Sequence, residues 1–167
     1  MCRGNWILIL LLVGGCSSER PREVPSTESQ LAKIGGCVPG EAAVEGWSME
    51  IRSVSRDETS TRVEIAVTAT SEAVDFDLPV YRLSRGRWLI HPFGRAYLVD
   101  PTCREYKLKD RKAAPGREIP LDGRVRVTPG QPFEATLLFP RLPAETGVGM
   151  LVYNGRKLPF AIGIERR

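Results

Sequence analysis

The side chains of this sequence that could do chemistry are few and scattered. His91 is the only histidine, so a serine or cysteine hydrolase would need it as base, with a nucleophile and an orienting acid in reach. It stands in Leu89-Ile90-His91-Pro92, no Gly-x-Ser-x-Gly occurs anywhere, and it reads as a strand-end histidine before a proline. Asp75-Phe76-Asp77 sets two carboxylates on one face of a strand, as a weak calcium site or a glycosidase pair would require. With no third acidic ligand nearby they read as a wet face, and neither a metal nor a cofactor is expected. Gly147-Val148-Gly149 lacks the remaining glycine and the strand-to-helix setting of a nucleotide loop. Trp47, Trp88 and Tyr97 would form a sugar-stacking platform if exposed, and core if buried.

The amino terminus carries a sharper pattern. Arg3 precedes an unbroken apolar run, Trp6 to Val13, followed by Gly14-Gly15-Cys16-Ser17-Ser18. At about 1.5 Å per residue such a helix falls far short of the roughly 30 Å hydrocarbon layer of a bilayer. The run therefore suits an export signal better than a membrane span. Val13-Gly14-Gly15-Cys16 resembles the lipobox of bacterial lipoproteins. The resemblance implies that Cys16 receives a diacylglyceryl group, that residues 1–15 leave as a signal peptide, and that the new amine is acylated, typically with palmitate. Two or three acyl chains hold a protein at a membrane stably, where one chain holds it marginally. The protein is then expected in the cell envelope: on the periplasmic face of the outer membrane in a diderm host, otherwise on the outer face of the cell membrane.

That resemblance also sorts the cysteines. Cys2 leaves with the signal and Cys16 carries lipid, so Cys37 and Cys103 remain. In an oxidising compartment an isolated pair is expected as a disulfide. Two cysteines without a nearby histidine make half a zinc site, and the Cys-x-x-Cys spacing of a redox centre is absent.

Removal of the first fifteen residues leaves chain enough for one domain with a real core. A formal net charge of +4 hides a segregation. Ser48 to Tyr81 holds three arginines against seven acids, whereas Arg82 to Arg117 holds ten bases against Asp100, Glu105 and Asp110. The second stretch, with Arg82, Arg85, Arg87, Arg95 and Arg104, is a candidate basic contact surface for an anionic partner in the envelope. An exported, lipid-anchored chain without a recognition motif is not expected to bind nucleic acid.

Positioning these residues falls to short strands. Ser17 to Gln30 is polar, with two prolines, and cannot bury enough surface to offset its ordering entropy. It reads as a tether, and residues 16–46 as lipidated cysteine, tether and entry segment. Leu31 to Ile34 has room for one helical turn before Gly35-Gly36. From Trp47 the hydrophobic period is two: Trp47, Met49, Ile51 and Val54, then Val63, Ile65, Val67 and Ala69, predict a pair of strands with one buried face. Further strands are predicted over 76–83, 88–90, 96–99, 105–108, 125–127, 133–139, 149–153 and 158–164. Asn154-Gly155 signals a tight hairpin, since both residues tolerate positive φ. Seven to nine short strands around one core, with no helical stripe, predict an all-β, antiparallel β-sandwich over 47–167.

The order of these elements is similar to that of the Ig-like β-sandwich domains of exported bacterial proteins. Met49-Glu50-Ile51 and Val63-Glu64-Ile65-Ala66-Val67 open the layout. Leu98-Val99-Asp100 with Tyr106-Lys107-Leu108 follows, then Pro129-Gly130-Gln131-Pro132-Phe133, Leu137-Leu138-Phe139-Pro140 and a closing Leu158-Pro159-Phe160-Ala161-Ile162. The resemblance implies a fold and an exported location, not a reaction. The sequence is therefore read as a non-enzymatic, membrane-anchored interaction or structural module, with an envelope protein as partner. The alternative is a carbohydrate- or envelope-polymer-binding module.

Overall fold

A computed structural model describes residues 26–40, 46–78, 81–84, 87–90, 96–120 and 123–162, of which 81–84 and 87–90 are described as backbone strands. Cys16, Arg85, His91 and Arg95 lie outside these residues. Within them the chain forms one helix, α1 (Thr27–Cys37), and twelve strands. These are β1 (Trp47–Arg56), β2 (Ser60–Ala69), β3 (Val74–Asp77), β4 (Tyr81–Ser84), β5 (Arg87–Ile90) and β6 (Ala96–Val99). They continue as β7 (Glu105–Lys107), β8 (Asp110–Ala113), β9 (Arg124–Val127), β10 (Phe133–Pro140), β11 (Val148–Tyr153) and β12 (Arg156–Ala161).

Two antiparallel four-stranded sheets, β1-β2-β10-β8 and β12-β11-β6-β7, enclose the main core. The protein is all-β in class and a β-sandwich in architecture. The alternating residues predicted to face inward do so: Trp47 and Met49 on β1, and Val63, Ile65, Val67 and Ala69 on β2, are all buried. A bulge between Ile51 and Ser53 shifts the β1–β2 register by one residue. That extra residue returns Val54 to the inner side, opposite Val63, which strict alternation from Trp47 would not have done. The β11–β12 hairpin turns at Asn154 and Gly155, whose φ values of 50° and 84° are those of the predicted two-residue turn.

An aromatic trio fills one end of the core. Phe76 stacks on Tyr153 at 5.3 Å, and the Trp47 ring meets Phe76 edge-on at 4.9 Å. The Tyr153 hydroxyl donates to the Asp77 carbonyl at 2.7 Å, so the ring's polar end keeps a partner where burial removes water. Burial raises the Tyr153 pKa well above its ordinary value.

Three expectations are corrected. The strand predicted across 76–83 is divided into β3 and β4 on either side of Pro79, a residue with no N–H for a ladder. Beyond Leu108 a strand not foreseen, β8, continues the chain, and with the other short strands it takes the number past seven to nine. The largest correction concerns the amino-terminal segment. Residues 27–30, read as tether, open a helix that runs through Gly35 and Gly36 to Cys37. The domain therefore starts before Trp47.

Tertiary contacts explain why α1 overrides two glycines. Ser26 caps it by accepting from the Ser29 N–H at 3.2 Å, and Glu28 lies in the first turn, where the helix dipole favours an acid. Ile34 is fully buried against Val99, Val148, Met150 and Val152, on the outer face of the second sheet. Lys157 Nζ donates to the Gly35 and Val38 carbonyls at 3.2 and 3.0 Å, pairing acceptors that the helix end leaves over. Cys37 is disulfide-bonded to Cys103, with Cα atoms 5.7 Å apart. Strand β11 is therefore covered on both faces, by the main core and by α1, and every one of its residues is buried. Gly149 belongs to this packing and to no nucleotide loop: a Cβ there would come within 2.5 Å of the Phe160 ring.

The bond closes a separation of 66 residues, for which chain entropy alone predicts about 4 kcal/mol. Cys103 also holds φ 65°, a left-handed conformation that costs a residue bearing Cβ about 1 kcal/mol relative to glycine. Urea unfolding of the reduced protein should show a loss near the first figure. Between the single variants, Cys103→Gly should be more stable than Cys103→Ala by about 1 kcal/mol. Equal stability of the oxidised and reduced forms would contradict the account of the disulfide.

Candidate functional site

The edge formed by β7 and β8 is where chemistry and charge meet. The chain changes sheets there within two residues. Leu108 N–H bonds the Ala96 carbonyl of the second sheet, and Lys109 N–H bonds the Leu138 carbonyl of the first. One continuous ribbon thus borders both sheets, and its exposed side chains include Arg104, Lys107, Lys109 and Lys112 against Glu105 and Asp110. Tyr106 and Leu108 alternate with these and enter the core.

Asp100 sets the position of this edge. The residue is 2% exposed, and its carboxylate accepts four hydrogen bonds. Thr102 N–H and Thr102 Oγ1 reach one oxygen at 2.8 and 2.6 Å, Arg104 N–H reaches the same oxygen at 3.1 Å, and Tyr106 hydroxyl donates to the other at 2.8 Å. Backbone bonds from Cys103 N–H to Asp100 O and from Asp100 N–H to Arg104 O close the turn. The result is a three-residue hairpin loop whose last residue, Cys103, takes the left-handed position that usually calls for glycine. Burial pushes the Asp100 carboxyl up, but the bonds from Thr102, Tyr106 and Arg104 outweigh it and hold the pKa below the ordinary value. Burial, then the bond to Asp100 and its charge, pushes the Tyr106 hydroxyl up to about 12.

The ladder parity exposes part of the backbone. Asp100–Arg104 and Ala96–Leu108 are hydrogen-bonded pairs, so the intervening Glu105 and Lys107, opposite Val99 and Tyr97, turn their N–H and C=O groups away from β6. These groups face an open cleft of about 410 Å³, whose other wall is Pro140 to Ala144. Arg104, Lys107 and Arg141 stand around the cleft against one acid, Glu105. The Arg104 guanidinium lies 5.4 Å over the Tyr106 ring, which limits where its charge can point.

The far wall is held by two residues from the first hairpin. Arg56 Nη1 donates to the Pro143 carbonyl, to Ala144 O at 3.0 Å and to Thr146 O at 3.1 Å. The buried Thr61 hydroxyl accepts from Leu142 N–H at 2.9 Å. The β1–β2 turn preceding Thr61 is organised by Asp57, whose carboxyl is held well below its usual value by the N–H of Thr59, then by the hydroxyl and N–H of Ser60.

The expected site residues are distributed unevenly. Arg104 lies at the cleft. Arg82 and Arg87 lie on the β4–β5 hairpin, opposite Leu89 and Ser84 respectively. Asp75 and Asp77 face arginines across the β3–β9 pair, Arg126 at 3.0 Å and Arg124 at 3.5 Å, so the two acids form a paired wet face. Of the aromatic platform, Trp47 is core, with Arg156 4.8 Å over its ring, and Tyr97 is half-buried in the cluster beneath α1. Sequence reading missed Arg141, Arg56 and the central role of Asp100. Asp100 had one available signal, an Asp-Pro-Thr turn directly after an apolar strand. Arg56 and Arg141 had none, because their partners are distant in sequence. No protein family, curated protein or solved structure matches this chain.

Asp100 has a folded pKa below its unfolded one, near 4, so its contribution is complete above the unfolded value and disappears as pH falls through the folded value. Asp100→Asn should therefore lose about 2–3 kcal/mol at neutral pH. In denaturation series run from pH 7 to pH 2, the gap to wild type should close in acid; a constant gap would refute the charged network. Arg56→Met keeps the aliphatic stem and removes the donors. It should cost about 1–3 kcal/mol and speed amide exchange selectively around Ala144 to Thr146, whereas unchanged exchange there would remove Arg56 as the support of the wall.

Proposed function

We propose that this chain is a lipid-anchored protein of the cell envelope, acylated at Cys16, whose β-sandwich is an interaction module and not a catalyst. Its contact surface is the basic edge of β7 and β8 together with Arg141, and its partner is an acidic envelope protein. The observation that carries this reading is the gathering of Arg104, Lys107 and Arg141 around one cleft. Two of these come from the basic stretch and the third from a separate loop, so local composition does not account for the cluster. Charge of this kind sets specificity and encounter rate more than raw affinity. The carbohydrate-binding alternative is weakened by the burial of Trp47 and the packing of Tyr97 under α1.

The anchor and the helix belong to one design on this reading. With α1 starting at Thr27, capped by Ser26 and stapled to the β6–β7 turn, only residues 17–25 stand between Cys16 and the folded body. The ten residue steps from Cys16 to Ser26 span at most about 33–36 Å when fully extended, which keeps the domain close to the membrane surface.

Metabolic labelling with palmitate should mark the wild type and leave Cys16→Ser unmarked. In crosslinked envelopes, Lys107→Glu combined with Arg141→Glu should reduce partner recovery by about tenfold or more, with Arg126→Glu on β9 as the control. Equal recovery by both variants would end the case for the cleft as the contact surface.

A further inference from the structure

The cleft presents two things at once, a ring of cations and an unpaired strand edge, and the second says what shape of ligand suits it. Glu105 and Lys107 direct their backbone N–H and C=O groups outward from β6, and neither group has a partner among the described residues. Exposed edges are ordinarily hidden, because a row of unpaired donors and acceptors is a template for another strand. Here the edge faces a cleft with a fixed far wall, and the wall does not pair with it. Arg104 and Lys107 on the β7 side and Arg141 on the far side outnumber Glu105.

We infer that β7 binds an extended acidic peptide segment of the partner by strand addition. The peptide backbone hydrogen-bonds to Glu105 and Lys107, and its carboxylates meet Arg104, Lys107 and Arg141. Main-chain bonds supply affinity in this mode of recognition, and side chains on alternate residues supply selectivity. The inference rests on the interaction-module reading and adds to it the partner's conformation and chemistry. An acidic polymer without peptide N–H groups satisfies the charges and cannot make the ladder.

Lys107 allows the two contributions to be separated. Lys107→Ala removes the ammonium and keeps the N–H. Lys107→Pro removes both, and proline is tolerated on an edge strand where the N–H faces outward. The probe is a nine-residue peptide of alternating Glu and Val, blocked at both ends. Its control is the same peptide N-methylated at two adjacent central residues, which obstructs both of its edges. The full chain should bind the unmodified probe in a salt-sensitive manner. Lys107→Pro should bind it about five- to tenfold more weakly than Lys107→Ala does, and the methylated probe should lose at least as much against wild type. Should Lys107→Pro fail to fold, the methylated probe against wild type decides alone.

Absence of binding by the unmodified probe, equal binding of the methylated one, or equality of a folded Lys107→Pro with Lys107→Ala would each overturn strand addition. If recovery from envelopes still depends on Lys107 and Arg141 in that case, the charged surface stands and only the strand falls. If the probe adds as a strand while recovery is indifferent to those charges, the envelope partner is what fails.

Discussion

The carboxylate of a residue that is only 2% exposed must be satisfied locally, and Asp100 is satisfied by the turn it starts. Four donors within six residues converge on it, and together they hold it charged in a place where burial alone would favour protonation. Three parts of the molecule depend on this one group. The turn carries Cys103 in its left-handed conformation and so aims the sulfur that holds α1. The hydroxyl of Tyr106 is drawn to the carboxylate, which fixes the side chain around which β7 alternates. The N–H of Arg104 is held at the start of the basic edge. Fold, staple and candidate site meet at a single ion.

From there the sandwich is closed differently along its two sides. On one, β1 and β12 lie together, with Arg156 donating to the Trp47 carbonyl at 3.1 Å and lying over its ring. On the other, a ribbon passes from the second sheet to the first at Leu108 and Lys109. Crossing between sheets spares the chain a separate edge for each, but it uses up residues in the crossing itself. The cleft lies where β7 has left its outer groups unpaired and β8 has not yet begun. The loop after β10 forms the opposite wall because Arg56 and Thr61, both from the first hairpin, draw its backbone inward.

The amino-terminal helix shows how a segment of poor intrinsic propensity becomes structural. Two glycines in its last turn disfavour the helix by about 1 kcal/mol each relative to alanine. Burial of Ile34, the Lys157 bonds and the disulfide offset that cost. In exchange the outer face of β11, which would otherwise present Val148, Met150 and Val152 to water, is covered. This makes the segment before β1 part of the folded body.

What the residues alone determined is what period and local chemistry control. Alternation along 47–69 placed one face of β1 and β2 in the core, Asn154-Gly155 marked its hairpin, and two cysteines left over by the lipobox reading proved to be a bonded pair. Each of these depends on neighbours in sequence or on elimination. The tertiary structure alone decided the rest. Helix α1 forms because of a sheet far along the chain. The acids of β3 are neutralised by β9, and the cleft brings Arg104 and Lys107 to Arg141 through a loop held by Arg56. Such contacts join residues tens of positions apart, and no periodicity encodes them, because they come into being only when two sheets close over a shared core.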